Sequence, residues 1–323
     1  MPNLPAVSFY LLVLAISLYV LGKSAEYLVT AVTRIGYALR FSQFVTGFLL
    51  LGIATSIPET FIAINSIIDS TPQLSLGNLL GANIVLLTLV AGLTAVLARG
   101  VTLKQEFRTP LRIAQIALLI LSPVILLVDS RFSQTDGLLL ITFYIGYLAY
   151  IYNLSKNQDS PPLAEQLLNS KMLNTIILCL MGLAGVAVSS KIVVATSLSL
   201  AALAGIPAIV VGLLILSVGT NLPELSIALA AVKKHQTNLI LGDVLGSAAT
   251  NTAIAALLGL FSPFDLNFRL TYQTTSVFIV ISLLTFIFFT RSKNRLSSLE
   301  GALLLAVYIA YLTSEIFSST IKF

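Results

Sequence analysis

Two acids sit where acids are costly to place. Glu59 follows proline in Thr55-Ser56-Ile57-Pro58-Glu59, and Glu224 follows proline in Thr220-Asn221-Leu222-Pro223-Glu224. Both lie in runs apolar enough to span a bilayer, where a charged side chain costs about 2.5–3.5 kcal/mol on insertion scales. Proline cannot donate to the carbonyl four residues back, which predicts free carbonyls at Ala54 and Gly219. Carbonyls, hydroxyls and carboxylates are hard oxygen ligands, suited to Ca2+, Na+ or Mg2+ rather than to soft metals. Two carboxylates balance one divalent cation. Without it they repel, and one takes up a proton. Na+ or H+ therefore discharges the same site, which is what antiport requires. The plainer reading, that both acids only bond to neighbouring helices, fits poorly with the cost of burying a carboxylate in lipid.

Each motif is followed by a turn and a second polar helix. Residues four apart share a helix face. In the second copy that stripe is Asp243, Ser247 and Asn251, three oxygen-bearing side chains in line. In the first copy it is Asn78, Ala82 and Leu86, with Asn83 one position round from Ala82. Gly77, Gly81, Gly242 and Gly246 stand in small-xxx-small spacing, which lets helices approach closely.

The elements that must position these groups are membrane spans. The chain of 323 residues is 57% hydrophobic and 10% charged, against about 25% charged in soluble domains. Spans are predicted at 6–33, 42–69, 74–98, 110–128, 135–153, 172–199, 207–233, 238–260, 271–290 and 298–317. The fold class is an all-α membrane protein of ten transmembrane helices, with no soluble regulatory domain. The first apolar run has no basic residue before it and no small-residue cleavage site after it, so it reads as a span. The net charge of +5 is not a nucleic-acid signal, because the basic residues fall in short loops. Cys179 is the single cysteine, so no intramolecular disulfide forms.

Loop charge predicts orientation. With the N-terminus outside, thirteen Lys and Arg fall in inside loops, from Arg34 and Arg40 through Arg99 and Lys104 to Arg291, Lys293 and Arg295. Only Arg131, Arg269 and Lys322 fall outside. Five spans then separate the two motifs, so the copies face opposite ways. Residues 1–153 and 172–323 form an inverted repeat of five helices each, joined by a cytoplasmic linker at 154–171 that Pro161-Pro162 keeps from being helical. The localisation expected is an integral, multi-pass protein of the cytoplasmic (plasma) membrane.

Three other charged residues carry less. Glu26 and Lys191 occupy matching positions of opposite sign, and pair with each other, lie near a gate or snorkel. His235 follows two lysines in an inside turn and reads as a solvated loop residue.

The motifs resemble those of the Ca2+/cation antiporter superfamily, G-T-S-L-P-E followed by G-N-x-x-G-S-N. Here they read Ala54-Thr55-Ser56-Ile57-Pro58-Glu59 with Gly77-Asn78-Leu79-Leu80-Gly81-Ala82-Asn83, and Gly219-Thr220-Asn221-Leu222-Pro223-Glu224 with Gly242-Asp243-Val244-Leu245-Gly246-Ser247. The resemblance implies a central site between the second, third, seventh and eighth helices, with the first and sixth sliding across that core. It implies Glu59 and Glu224 as central ligands, backbone oxygen from Thr55 and Thr220, Ser56 and Asn221 near flanking sites, and Ser247 and Asn251 as further ligands. Ala82 and Leu86 stand where Na+-coupled members carry a serine and an acid or amide, and Asn251 where many carry aspartate. Fewer Na+ positions follow, which points toward proton coupling or another cation, with Asp243 replacing part of the missing charge.

The function expected is secondary antiport of Ca2+ or a similar divalent cation against Na+ or H+. The partners are the transported cations and membrane lipid, with no organic cofactor and no nucleic acid, and a monomer suffices. Two other classes remain open. A passive cation channel needs a continuous polar path, whereas here Leu, Ile and Val flank the polar centre on both sides. A membrane enzyme needs a nucleophile–base set or metal-binding histidines, and one loop histidine is too few.

Overall fold

A backbone in lipid must close its own hydrogen bonds, and this chain does so with helices. The computed structural model describes residues 4–38, 48, 51–102, 131–155, 172–233, 237–266, 269–292 and 295–320. Helices cover nine of the ten predicted spans there. The fourth, at 110–128, the linker and His235 lie outside the described residues. Seven helices are long and apolar enough to cross a membrane by length and composition alone. The first span, Leu4–Ala38, and the sixth, Met172–Ala204, both exceed their predicted bounds. At 35 residues the first is about 52 Å long, against roughly 30 Å of hydrocarbon, and so must tilt or project.

These two long helices run together. Gly182 and Gly185 stand at their crossing, where a Cβ on Gly182 would come within 2.7 Å of the Leu28 side chain and one on Gly185 would meet Ser24 Oγ. Both helices are mostly exposed on their outer faces, whereas spans three and eight are 78% buried over their apolar windows. The polar motifs therefore lie in the inner layer. Glu26 does not pair with Lys191: it bonds Lys23, one turn away on its own helix, at 2.8 Å. A neighbour at i−3 is always within reach on a helix.

Spans two and seven are each interrupted just before their proline. Helix Gly52–Thr55 stops at Ser56 (φ −83°, ψ 4°) and Ile57–Ile68 begins. Helix Ser217–Thr220 stops at Asn221 (φ −88°, ψ 11°) and Leu222–Lys233 begins. Proline is well placed in the first turn of the second half-helix, where its missing N–H costs nothing. The carbonyls predicted to be free are not bare: the N–H of Ser56 turns to Ala54 O and that of Asn221 to Gly219 O. The break supplies a donor that a continuous helix would not.

One local feature is not duplicated. The third span widens into a π-helix at Val85–Val90, whereas the matching part of the eighth lies in the uninterrupted α-helix Thr237–Phe261. The stripe Asn78, Ala82, Leu86 assumes α spacing throughout. Leu86 instead packs in the apolar core with Val85, Leu87 and Val90.

Two short antiparallel ladders tie the halves together. β1 (Val101–Thr102) pairs with β4 (Arg295–Leu296), and β2 (Arg131–Phe132) pairs with β3 (Phe264–Asp265). Each joins the chain leaving one polar-motif helix to the chain entering the other half's last or fifth span, so the connections repeat with the halves exchanged. Val101 opposes Leu296 and Phe132 opposes Phe264, all buried. The helix after β2 opens with a Ser133–Asp136 capping box, and the helix after β4 with the matching Ser297–Glu300 box.

Candidate cation site

Glycine brings the four central helices to backbone contact. A Cβ on Gly52 would lie 2.6 Å from Gly246 C, and one on Gly246 would meet Phe48 O, so spans two and eight touch. Spans three and seven touch likewise: a Cβ on Gly81 would lie 2.7 Å from Ser217 Cβ, and one on Gly77 would meet Ile209 O. Small residues are what allow helices to close this far in lipid.

That approach places each motif against the other half of the chain. Thr55 Oγ1 lies 2.9 Å from Ser247 Oγ and 3.4 Å from Asp243 Oδ1. Thr220 Oγ1 lies 3.3 Å from Asn78 Oδ1. The Thr55 hydroxyl also stands beside the Glu224 carboxylate, and the Thr220 hydroxyl beside that of Glu59. Each threonine thus serves the acid of the opposite repeat. Glu59 and Asp243 are the charged neighbours of Glu224. Both glutamates are 1% exposed and Asp243 is fully buried, deep in the central layer. One oxygen of each has no hydrogen-bond partner: Glu59 Oε2, Glu224 Oε2 and Asp243 Oδ2. Buried acceptors left in that condition suit a cation, because an unpaired buried polar group otherwise loses its full desolvation energy.

Among the described residues no three acids, cysteines or histidines converge on one metal position. Glu59 and Glu224 are therefore a pair, and the remaining ligands must be neutral oxygens. Ser56 Oγ and Asn221 Oδ1 are buried beside the breaks and also lack partners; Asn221 Nδ2 donates to Ser217 O at 2.6 Å, which fixes which end of the amide is unpaired. Asn78 is buried, its Oδ1 held by Thr220. Asn83 and Asn251 do not reach the glutamates in the same way. Asn251 Nδ2 donates to Asn83 Oδ1 at 3.1 Å, leaving Asn251 Oδ1 unpartnered two turns from Asp243.

Three features were missed in the sequence. Ser217, whose hydroxyl donates to Leu213 O, is part of the close contact with Gly81. Asn65 Nδ2 donates to Ser190 Oγ at 3.1 Å and ties the second span to the sixth. Glu315 is fully buried beside Tyr311 in the last span. Its signal was present: a carboxylate in a run predicted to cross the membrane.

The model of the family described as sodium/calcium exchanger protein matches residues 9–153 and 174–317, both halves of the inverted repeat. The chain belongs to the sodium/calcium exchanger family. An uncharacterized membrane protein of Methanocaldococcus jannaschii is 28% identical, over 94% of this chain and 99% of that one. The sodium/calcium exchanger MaX1 of Methanosarcina acetivorans is also 28% identical, over 93% of this chain and 97% of its own. Among solved structures, the sodium-calcium exchanger NCX_Mj soaked with Na+ and Sr2+ superposes with a TM-score of 0.70 at 25% identity, covering 95% of this chain and 99% of that one. Family membership accounts for the all-helical membrane fold and excludes nothing about which ions this member carries.

Proposed function

We propose that this exchanger-family protein moves Ca2+, or a divalent cation like it, against Na+ or H+ through a shared site at Glu59 and Glu224. One observation carries the reading: two buried carboxylates from oppositely inserted halves each keep an unpartnered oxygen and each stand beside the other half's threonine. Two negative charges match one divalent cation, and the two lost on its departure match two monovalent ones. Both acids lie in the first turn of a half-helix, where the helix dipole favours negative charge and holds the carboxylates in place between cargoes. The threonine hydroxyls, the Asn78 amide and the oxygens at the breaks complete the coordination.

The first and sixth helices contact the core through small and apolar side chains, which suits sliding past it. A Cβ on Gly22 would be in ordinary contact with Leu222, and one on Gly219 would press on Leu18. The protein works in the plasma membrane with its N-terminus outside, and one copy is sufficient because both acids belong to one chain.

The deciding experiment is 45Ca2+ flux into proteoliposomes under an imposed Na+ gradient and then an imposed H+ gradient. Gradient-driven accumulation is expected with at least one of them. Unitary currents in planar bilayers would replace this reading with a channel. Coupling has its own test. Leu86 is apolar where an oxygen ligand would serve Na+, so Leu86→Asn is expected to steepen the dependence of Ca2+ flux on Na+. An unchanged Na+ response would show that the π-turn has carried position 86 away from the ion.

A further inference from the structure

The two halves of the pocket are unequal in charge. Asp243 and Asn78 occupy matching positions, each facing the threonine of the opposite repeat. Only the second-half position carries a carboxylate, so three buried negative charges meet one divalent cargo.

The hydrogen bonding around Asp243 does not close. Thr55 has one hydroxyl proton and three oxygen neighbours: Leu51 O at 3.0 Å, Ser247 Oγ at 2.9 Å and Asp243 Oδ1 at 3.4 Å. A proton given to Leu51 O leaves the Thr55 lone pairs to accept from Ser247 and to face Asp243. The 3.4 Å separation exceeds the ordinary range for an O–H···O bond and is that of two acceptors side by side. Asp243 Oδ2 has no partner either. Asp243 also stays apart from a three-acid cluster with Glu59 and Glu224, since no such group is close enough to share one metal. It therefore serves a separate position next to theirs.

We propose that Asp243, with the Thr55 and Ser247 hydroxyls, binds one Na+-like monovalent cation that stays beside the divalent cargo instead of being exchanged for it. The inference rests on the two-glutamate reading for its cargo but not for its own ligands. With divalent cation alone the pocket keeps one unbalanced negative charge away from water, a costly condition; the co-bound monovalent cation removes it. Hard oxygens from one carboxylate and two hydroxyls suit an alkali cation, and hydroxyl oxygens are neutral, so the charge of the position is that of Asp243 alone.

The consequence is a biphasic response. Equilibrium 45Ca2+ binding to the purified full-length protein is measured in detergent at alkaline pH, across a Na+ titration with choline as the replacing cation. Low Na+ is expected to raise Ca2+ binding at least about fivefold, the lower end of ordinary coupling between two sites. High Na+ then lowers it by competition at the glutamates. Asp243→Asn is expected to abolish the rising limb. Ser247→Ala, which keeps the charge and removes a ligand, is expected to move the rising limb to higher Na+, and it carries the test if the aspartate variant does not fold.

A monotonic fall in the wild type overturns the proposal. So does a rising limb that survives Asp243→Asn, or one whose midpoint Ser247→Ala leaves in place. Absence of any Ca2+ binding by the wild type instead refutes the two-glutamate reading. In that event 22Na+ binding decides separately: its loss in Asp243→Asn supports the monovalent position, and equal binding in both proteins overturns it.

Discussion

Glu59→Gln and Glu224→Gln are each expected to reduce cation exchange about 100-fold or more, the equivalent of roughly 3 kcal/mol lost from a charged contact in a dry site. The amide keeps the shape of the acid and can still meet the neighbouring threonine, so packing survives. It removes one of the two charges that match a divalent cation and one acceptor oxygen. Both carboxylates are buried with an unpartnered oxygen, so neutralising either relieves a desolvation cost in the cation-free protein. Each variant is therefore expected to unfold at the wild-type temperature or slightly above it in a detergent melt, while 45Ca2+ uptake in proteoliposomes disappears. Wild-type uptake by either variant would remove the shared site. A fall in melting temperature that tracks the loss of uptake would make the acids structural.

Gly246→Ala is expected to damage the fold itself. Its added Cβ would be driven into the Phe48 carbonyl, a backbone atom that cannot swing aside, and the same contact holds Gly52 against Gly246. Overpacking of this kind costs typically about 1–3 kcal/mol, which for a chain of this size lowers the melting temperature by roughly 5 °C or more. The loss extends to binding. Separating spans two and eight moves Thr55 away from Ser247 and Asp243, so Ca2+ binding is expected to weaken even below the melting temperature. Gly146→Ala is the control. A Cβ there meets nothing within 4 Å, and alanine favours the helix by about 1 kcal/mol relative to glycine. The control should melt at or above the wild-type temperature. Equal melting of the two variants would mean that Gly246 is not a point of backbone contact.

The family and the plan of the molecule were legible without coordinates because they rest on local properties. A bilayer span is a matter of composition over about 20 residues. A helix break is announced by Pro58 or Pro223, and the matched order of Thr, Pro, Glu and Gly in both halves marks the repeat. The two acids stood out because lipid makes any carboxylate conspicuous. The same rule pointed to Glu315, but that residue has no counterpart in the other half and was passed over.

The tertiary structure decided which of these groups meet. Thr55 reaches Asp243 and Ser247 across 188 and 192 positions, and Thr220 reaches Asn78 across 142. No periodicity in either segment encodes those contacts; they follow from how closely Gly52, Gly81 and Gly246 let four helices approach. Helical stripes also presume one pitch, and the π-turn at Val85–Val90 breaks that presumption for Leu86 in one half only. Likewise the pairing of Glu26 went to Lys23, because a partner one turn away on the same helix needs no other element to bring it near. Residue type and order thus set which chemistry is available, while the exchange of partners between halves, and the unequal charge of the two sides of the pocket, arise only when the helices pack.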